Sequence, residues 1–469
     1  MFSWVTVHHL AQWTLGTWKA APPPALPVRS ISTDTRSLEK GDVFIALQGP
    51  SFDGHAFVEQ AAQCGAAIAI VQRPVDAPIP QLLVPNTQGA LVAIGEKVRE
   101  AFKGPVFGIT GSAGKSSTKE MVAELLGPRA IRSPKSFNNI LGVPRTIFLV
   151  QDDTEAMILE IGMNATGEIA EICQHFKPSG GLITNIGEAH MGKLGGQEGI
   201  FRAKKELFEW LARTASPQLA LNLDDALVLR AYEESLRPGH VQVATYSALG
   251  KPADVQVIAA SMHPQNGGLQ LELDIRGNRG KLELGLFGLH QAQNIAGSAA
   301  AALLLGLSPQ EILSRLPKLK STAQRGEWLA LSHDRVLIDE SYNSNPSALE
   351  QSLLSVAQLD PARRRVLVLG EMKELGDYSE QQHARVGKSL VKMYQEKRFP
   401  FLLVGVGSAF LPFLAAVERE LPGIPCLGVP DAEVAIERLR SLLLDGDVVL
   451  VKGSRGVQLE RVVNWVKSL

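Results

Sequence analysis

Val106-Phe-Gly-Ile-Thr-Gly-Ser-Ala-Gly-Lys-Ser-Ser-Thr-Lys-Glu120 is the stretch that decides the fold of this chain. Its first five residues, Val106–Thr110, form an apolar run that reads as a buried strand. Gly111, Gly114 and Lys115 follow, and a helix is expected from there. A strand, a glycine turn and a helix in that order aim backbone N–H groups and the positive end of the helix dipole at one point, where phosphate binds. Thr110, Gly111, Ser112, Ala113, Gly114, Lys115, Ser116 and Ser117 are therefore assigned to the phosphates of a nucleotide. Lys115 reaches the terminal phosphates and the Ser116 hydroxyl ligates magnesium. The widest form of the pattern wants a glycine five places before Gly114, where this chain has Ile109. A turn whose glycines serve only the chain reversal is the competing reading, and the complete order of strand, loop, lysine and helix argues against it.

Outward from the loop, Ala156-Met-Ile-Leu-Glu160-Ile-Gly is a second apolar strand, ending in a carboxylate. In the same sheet Glu160 holds the metal, directly or through water. Thr184-Asn-Ile-Gly-Glu-Ala-His190 follows a third apolar strand, and His190 is either a ligand of a second metal or a structural histidine. Glu198–Leu211 has helical periodicity. Ile200, Ala203, Lys204, Leu207, Phe208 and Leu211 share one face; Arg202, Lys205, Glu206 and Glu209 share the other. Lys204 thus points inward, where an ammonium is costly unless paired or modified. A lysine snorkelling from the edge of the stripe fits the spacing equally well. Gly387-Lys388-Ser389 lies in a helical stretch with no strand before it and reads as surface helix.

The 469 residues suggest about three domains, and the alternation of strands and helices gives an α/β fold class. Residues 1–103 read as a small N-terminal unit, with strands at Val43–Leu47 and Ala67–Val71 and a helix at Ala56–Cys64. Residues 104–320 read as a central, mostly parallel sheet, with Leu269–Ile275 and Lys281–Leu286 as an antiparallel edge and an alanine-rich helix near Gln291–Leu305. Residues 321–469 read as a doubly wound, Rossmann-like unit with strands Val336–Asp339, Arg365–Leu369, Phe401–Val404 and Asp447–Val451. The formal net charge is -1, so no global field recruits nucleic acid or an anionic membrane. Cys64, Cys173 and Cys426 lack metal spacing and are expected as buried small hydrophobes in a reducing compartment. Met1–His9 has no basic stretch before an apolar run and does not read as a signal peptide, and no run of about 18 apolar residues occurs, so a cytoplasmic protein without a membrane span is expected.

Taken together, these residues resemble the Mur ligases, which build the peptide stem of bacterial peptidoglycan. The family's Thr-Gly-x-x-Gly-Lys-Ser/Thr loop stands here as Thr110–Ser116, which accounts for Ile109. The resemblance spans essentially the whole chain. It implies a substrate-contacting pair at Asn138 and Asn139, the metal glutamate at Glu160, the family histidine at His190, and a lysine carbamylated by carbon dioxide at Lys204. Lys115, Glu160, His190 and Lys204 are then the catalytic set, with Ser116, Glu160, His190 and Lys204 holding metal. Asn294 matches a nucleotide-contacting asparagine, although Gln291 stands where relatives often have Asn. Arg325 matches an arginine that reaches the nucleotide phosphates, Asp339 the residue that meets the ATP ribose, and Tyr342 and Asn343 neighbour the adenosine. Ser32, Asp34, Thr35 and Arg36 resemble the segment near the UDP moiety, and Asp53-Gly54-His55 follows as in relatives.

Gly370-Glu-Met-Lys-Glu-Leu-Gly-Asp-Tyr-Ser-Glu-Gln-Gln-His383 and Val451-Lys-Gly-Ser-Arg-Gly456 are similar to the family branch that adds D-alanyl-D-alanine. The Asp-Asn-Pro-Arg motif of diaminopimelate-adding relatives is absent. The resemblance implies ATP and Mg2+ as cofactors, and UDP-N-acetylmuramoyl-tripeptide and D-alanyl-D-alanine as the molecules joined by a monomeric enzyme. The alternatives are a ligase of the same fold acting on another acid, of diaminopimelate-adding or folylpolyglutamate type, and a P-loop ATPase of different role. A GTPase would want an Asn-Lys-x-Asp motif, and the chain has no Asn-Lys pair.

Overall fold

The computed structural model describes residues 1–134, 136–187, 194–237, 239–373 and 375–469. His190 lies outside them. Three sheets follow one another along the chain. The middle one runs, in spatial order, Asn278–Leu284, Leu269–Ile275, Val255–Met262, Gln242–Ser247, Gln218–Asn222, Gly180–Ile183, Val106–Thr110, Ala156–Glu160 and Ala130–Arg132. Val106–Thr110 pairs in parallel with Ala156–Glu160 on one side and Gly180–Ile183 on the other. All five of its residues are buried, which is why its sequence is continuous rather than alternating. The last two strands add antiparallel at one edge. Leu269–Ile275 alternates buried and half-buried residues, as an antiparallel strand with one wetter face does. Its partner is Asn278–Leu284, shifted from the expected Lys281–Leu286, because Arg276 and Gly277, both at positive φ, make the turn.

The first sheet holds five short strands from Thr17–Lys19 to Gln81–Leu83, and the third holds six from Glu327–Ala330 to Val448–Lys452. In the third, all pairings are parallel except that of Glu327–Ala330 with Val336–Glu340. The helix Gln291–Leu304 packs against the helix Lys115–Leu126 and the strands Gln218–Asn222 and Gln242–Ser247. Its run of alanines permits that close approach, and twelve of its residues are buried.

The units share cores. Val43, Ile70 and Leu91 of the first belong to one apolar cluster with Val106, Ile147 and Leu159 of the second. Leu286 and Phe287 of the second join Ile338, Leu349 and Leu353 of the third. Backbone polar groups across the second junction are satisfied as well: Leu289 N donates to Ser355 Oγ at 2.9 Å, and Asp360 N to the Pro264 carbonyl at 3.1 Å.

Three local expectations change. The helix expected at Ala56–Cys64 is a 3-10 turn, Gly54–Phe57, followed by an α-helix, Val58–Gln63. Cys64 is exposed, while Cys173 is buried and Cys426 half-buried; Cys64 follows the helix end, with its Sγ 3.9 Å from the Thr35 carbonyl. Glu206, expected on the outer face of its helix, is buried. Its carboxylate accepts from Gly167 N at 2.7 Å and Ala170 N at 2.9 Å, so it closes the start of the helix Glu168–Phe176. Among the described residues no helix is long and apolar enough to cross a membrane.

Candidate active site

The loop after Val106–Thr110 is built from glycines that nothing else can replace. Gly111 has φ +150°, and a Cβ there would lie 1.8 Å from Thr184 Oγ1. Gly114 has φ +82°, and its Cβ would meet Asn294 Oδ1 at 2.4 Å. Gly111→Ala should therefore cost about 10²-fold in kcat/KM for ATP by displacing the loop, with a lowered thermal midpoint. Steady-state kinetics with ATP varied checks this.

Neighbouring strand ends brace the loop. Ser112 N donates to the Asn185 carbonyl at 3.0 Å and Ala113 N to Asn185 Oδ1 at 3.0 Å. Thr184 Oγ1 donates to the Ala113 carbonyl at 2.5 Å. Two amides expected to face phosphate are thus taken by Asn185. The donors left for an anion are those at the start of the helix Lys115–Leu126, which has Gly114 before it and no capping side chain. The bracing role of Thr184 and Asn185 has no sequence signature.

Around that helix start, charge is concentrated. Lys115 Nζ donates to the Gly111 carbonyl at 2.7 Å. Glu160 is buried; its Oε1 accepts from Asn138 Nδ2 at 2.9 Å. Its Oε2 has no hydrogen-bond donor among the described residues, and Lys119 Nζ lies 3.5 Å away. Lys119, which the sequence reading passed over, is itself buried and donates to the Ser133 carbonyl at 2.8 Å. Lys204 is buried, the inward of the two placements its spacing allowed. Burial, and then the nearby Lys115 charge, push its pKa well below the ordinary lysine range. The Ser116 hydroxyl is buried, 3.5 Å from Ser136 Oγ. Among the described residues no three His, Cys, Asp or Glu side chains cluster as a metal site. A cation here would rest on a mixed set: the Glu160 Oε2 that accepts no hydrogen bond among the described residues, a hydroxyl and the Lys204 position.

The third unit reaches this place with the Tyr342 phenol. Tyr342 OH lies 2.7 Å from Ser136 Oγ, and the Arg325 guanidinium stacks 4.1 Å over the Tyr342 ring. Asn343 is exposed, and its carbonyl accepts from Lys452 Nζ at 3.3 Å. Asp339 is buried and spends Oδ1 on Ser341, from the backbone N at 3.0 Å and the hydroxyl at 2.7 Å. Asn294 backs the loop, receiving a hydrogen bond from Thr118 Oγ1 at 3.5 Å and giving one to Gln291 Oε1 at 2.9 Å. Asn139 Oδ1 accepts from Gly142 N at 2.7 Å and so closes a turn.

In the first unit, Asp34 caps the 3-10 turn Thr35–Ser37, and Arg36 Nη2 donates to it at 2.7 Å. That hydrogen bond, more than any other influence, holds the Asp34 carboxyl at about 2. Ser32 Oγ accepts from Asp34 N at 3.1 Å, and Thr35 Oγ1 donates to Gln60 at 3.1 Å. The helix Ser379–Lys397 contains Gly387-Lys388-Ser389 far from any loop of this kind, with Ser389 Oγ donating to Glu350 at 2.6 Å.

Family models match in three blocks: a Mur ligase family catalytic domain over residues 27–125, a Mur ligase middle domain over 109–302, and a Mur ligase glutamate ligase domain over 324–455. UDP-N-acetylmuramoyl-tripeptide–D-alanyl-D-alanine ligase of Synechocystis sp. is 36% identical, with 93% of this chain and 91% of the relative covered. The chain belongs to the Mur ligase family. A second relative of this Mur ligase, from Bacillus subtilis and of the same name, is 30% identical over 98% of this chain and 97% of its own. The crystal structure of MurF from Acinetobacter baumannii superposes with a TM-score of 0.83, at 29% identity, covering 100% of this Mur ligase and 99% of that chain. The three-domain α/β architecture is thus that of the family, whose members use ATP.

Proposed function

We propose that this Mur ligase joins D-alanyl-D-alanine to UDP-N-acetylmuramoyl-tripeptide at the expense of ATP, giving the UDP-linked pentapeptide, ADP and phosphate for peptidoglycan synthesis. The observation that carries this reading is the end-to-end likeness to relatives of that name, over 93% of the chain in the first case. The chemistry of the site agrees with it. A carboxylate and an amine do not condense in water, so the carboxylate needs a leaving group. An oxygen of the tripeptide's terminal carboxylate bonds to the γ-phosphorus of ATP as the bond to ADP breaks. The amine nitrogen of D-alanyl-D-alanine then bonds to the acyl carbon, phosphate leaves, and the nitrogen gives up a proton.

The amides at the start of Lys115–Leu126 and the Lys115 ammonium offset charge on the transferring phosphoryl group. Arg325 adds a second cation from the third domain, oriented by its stack on Tyr342. Asn138 holds the Glu160 carboxylate so that Oε2 is left for a cation. Glu160, Ser116 and a carbamate on Lys204 would hold magnesium, with His190 as a further ligand. When bound, the ion supplies charge neutralisation at the phosphate oxygens. A neutral Lys204 amine, favoured by burial and by Lys115, is the form that adds carbon dioxide. Closure of the third domain on the second, as in the Tyr342 to Ser136 contact, shields the acyl phosphate from water.

Phosphate release with ATP and magnesium tests the reading. Release should need both the UDP-tripeptide and D-alanyl-D-alanine, and mass spectrometry should find the pentapeptide product. Release with the tripeptide and another amine instead would move the substrate assignment within the family. Equal turnover with neither would make the loop that of an ATPase.

A further inference from the structure

Arg145 belongs to none of the motifs above, yet it sits between the two halves of the proposed substrate path. It lies on the short helix Val143–Ile147, in the middle unit, and is half-buried. Its guanidinium stacks on the Phe137 ring at 3.9 Å. Phe137 adjoins Asn138, which donates to the Glu160 carboxylate at 2.9 Å. The charge of Arg145 also acts on Asp34 of the first unit, helping to hold that carboxyl down. Asp34 does not satisfy it: that carboxylate is taken by Arg36, whose Nε and Nη2 donate at 2.9 and 2.7 Å. Among the described residues no hydrogen bond or ion pair reaches the Arg145 guanidinium.

A planar cation with five donors, fixed by stacking and left without an acceptor, is a preformed seat for an oxyanion. The three charges at this junction, Asp34, Arg36 and Arg145, sum to one positive. The geometry points to Arg145 as a residue that binds an oxyanion of the UDP-linked substrate between its nucleotide end and its reacting carboxylate, and so selects an anionic acceptor. This rests on the ligase reading above. The oxyanion is either the diphosphate or a carboxylate of the peptide stem, since both lie along that molecule.

Arg145→Met removes the donors and keeps an unbranched side chain over Phe137. It should raise KM for UDP-N-acetylmuramoyl-tripeptide about tenfold or more, the order expected for a lost charge-assisted hydrogen bond. KM for ATP and for D-alanyl-D-alanine should stay within about twofold. Arg145→Lys should recover part of the loss, and the wild-type KM should climb more steeply with salt than that of Arg145→Met. Competition by UDP-N-acetylglucosamine, which has the diphosphate and no carboxylate, separates the sources. Weakened inhibition of Arg145→Met assigns the diphosphate; unchanged inhibition beside a raised tripeptide KM assigns a stem carboxylate. Wild-type turnover with an unchanged tripeptide KM in a folded Arg145→Met overturns this inference alone. Wild-type protein that turns over no UDP-tripeptide overturns the ligase reading and this one with it.

Discussion

Lys115→Met is expected to lower kcat by about 10³-fold, with a much smaller rise in KM for ATP. The lysine's charge matters most when negative charge spreads over the transferring phosphoryl group. The helix-start amides still hold the phosphates in the ground state, so binding survives better than chemistry. The substitution has a second consequence. The Lys115 charge helps to keep the Lys204 pKa low, so its removal lets Lys204 hold its proton to higher pH. The effects of Lys115→Met and of a Lys204 substitution should therefore be strongly non-additive in kcat. Rapid-quench measurement of ADP formation, for the two single variants and the double, checks both statements. A raised KM for ATP with kcat unchanged in Lys115→Met would place the lysine in ground-state binding only.

The second large effect concerns Lys204. A buried ammonium beside another cation is unfavourable on both counts, and conversion to a carbamate exchanges a positive charge for a negative one facing Lys115. Protein stripped of carbon dioxide should lose at least about 90% of its activity, a deficit of the size expected when a metal ligand is lost, and bicarbonate should restore it. Lys204→Ala should lose about 10²- to 10³-fold in kcat and should not respond to bicarbonate. The pH dependence has a definite sign. Only the neutral amine adds carbon dioxide, and the folded-state pKa lies well below the ordinary 10.5. Reactivation should therefore speed up as pH rises through that lowered pKa, level off well before 10.5, and fail as pH falls below it. Stripped protein with full activity would exclude the carbamate.

What the sequence made legible follows a physical rule. Features written in local periodicity were readable: the continuous apolar strand before the phosphate loop, the alternating edge strand Leu269–Ile275, and the inward face that carries Lys204. Features that depend on which distant backbone ends nearby were not. Glu206 has the spacing of an outer-face residue and is buried because the helix Glu168–Phe176 starts beside it. Asn185 takes two loop amides from a separate strand end. Lys119 sits one helical turn past Lys115 and turns out buried against Glu160. The Tyr342 to Ser136 contact joins residues 206 positions apart, and no window of sequence contains both. Asp34 and Asp53, singled out only by resemblance to the segment near the UDP moiety, cap the 3-10 turns Thr35–Ser37 and Gly54–Phe57 in the fold.

The most direct test of the central claim, that ATP activates the tripeptide carboxylate, follows one atom. The terminal carboxylate of UDP-N-acetylmuramoyl-tripeptide is prepared with heavy oxygen and turned over with ATP, magnesium and D-alanyl-D-alanine. The account predicts one heavy oxygen in each phosphate released, because the oxygen that bonds to phosphorus leaves with it. Phosphate free of label, with both heavy oxygens still on the unreacted tripeptide, would contradict it.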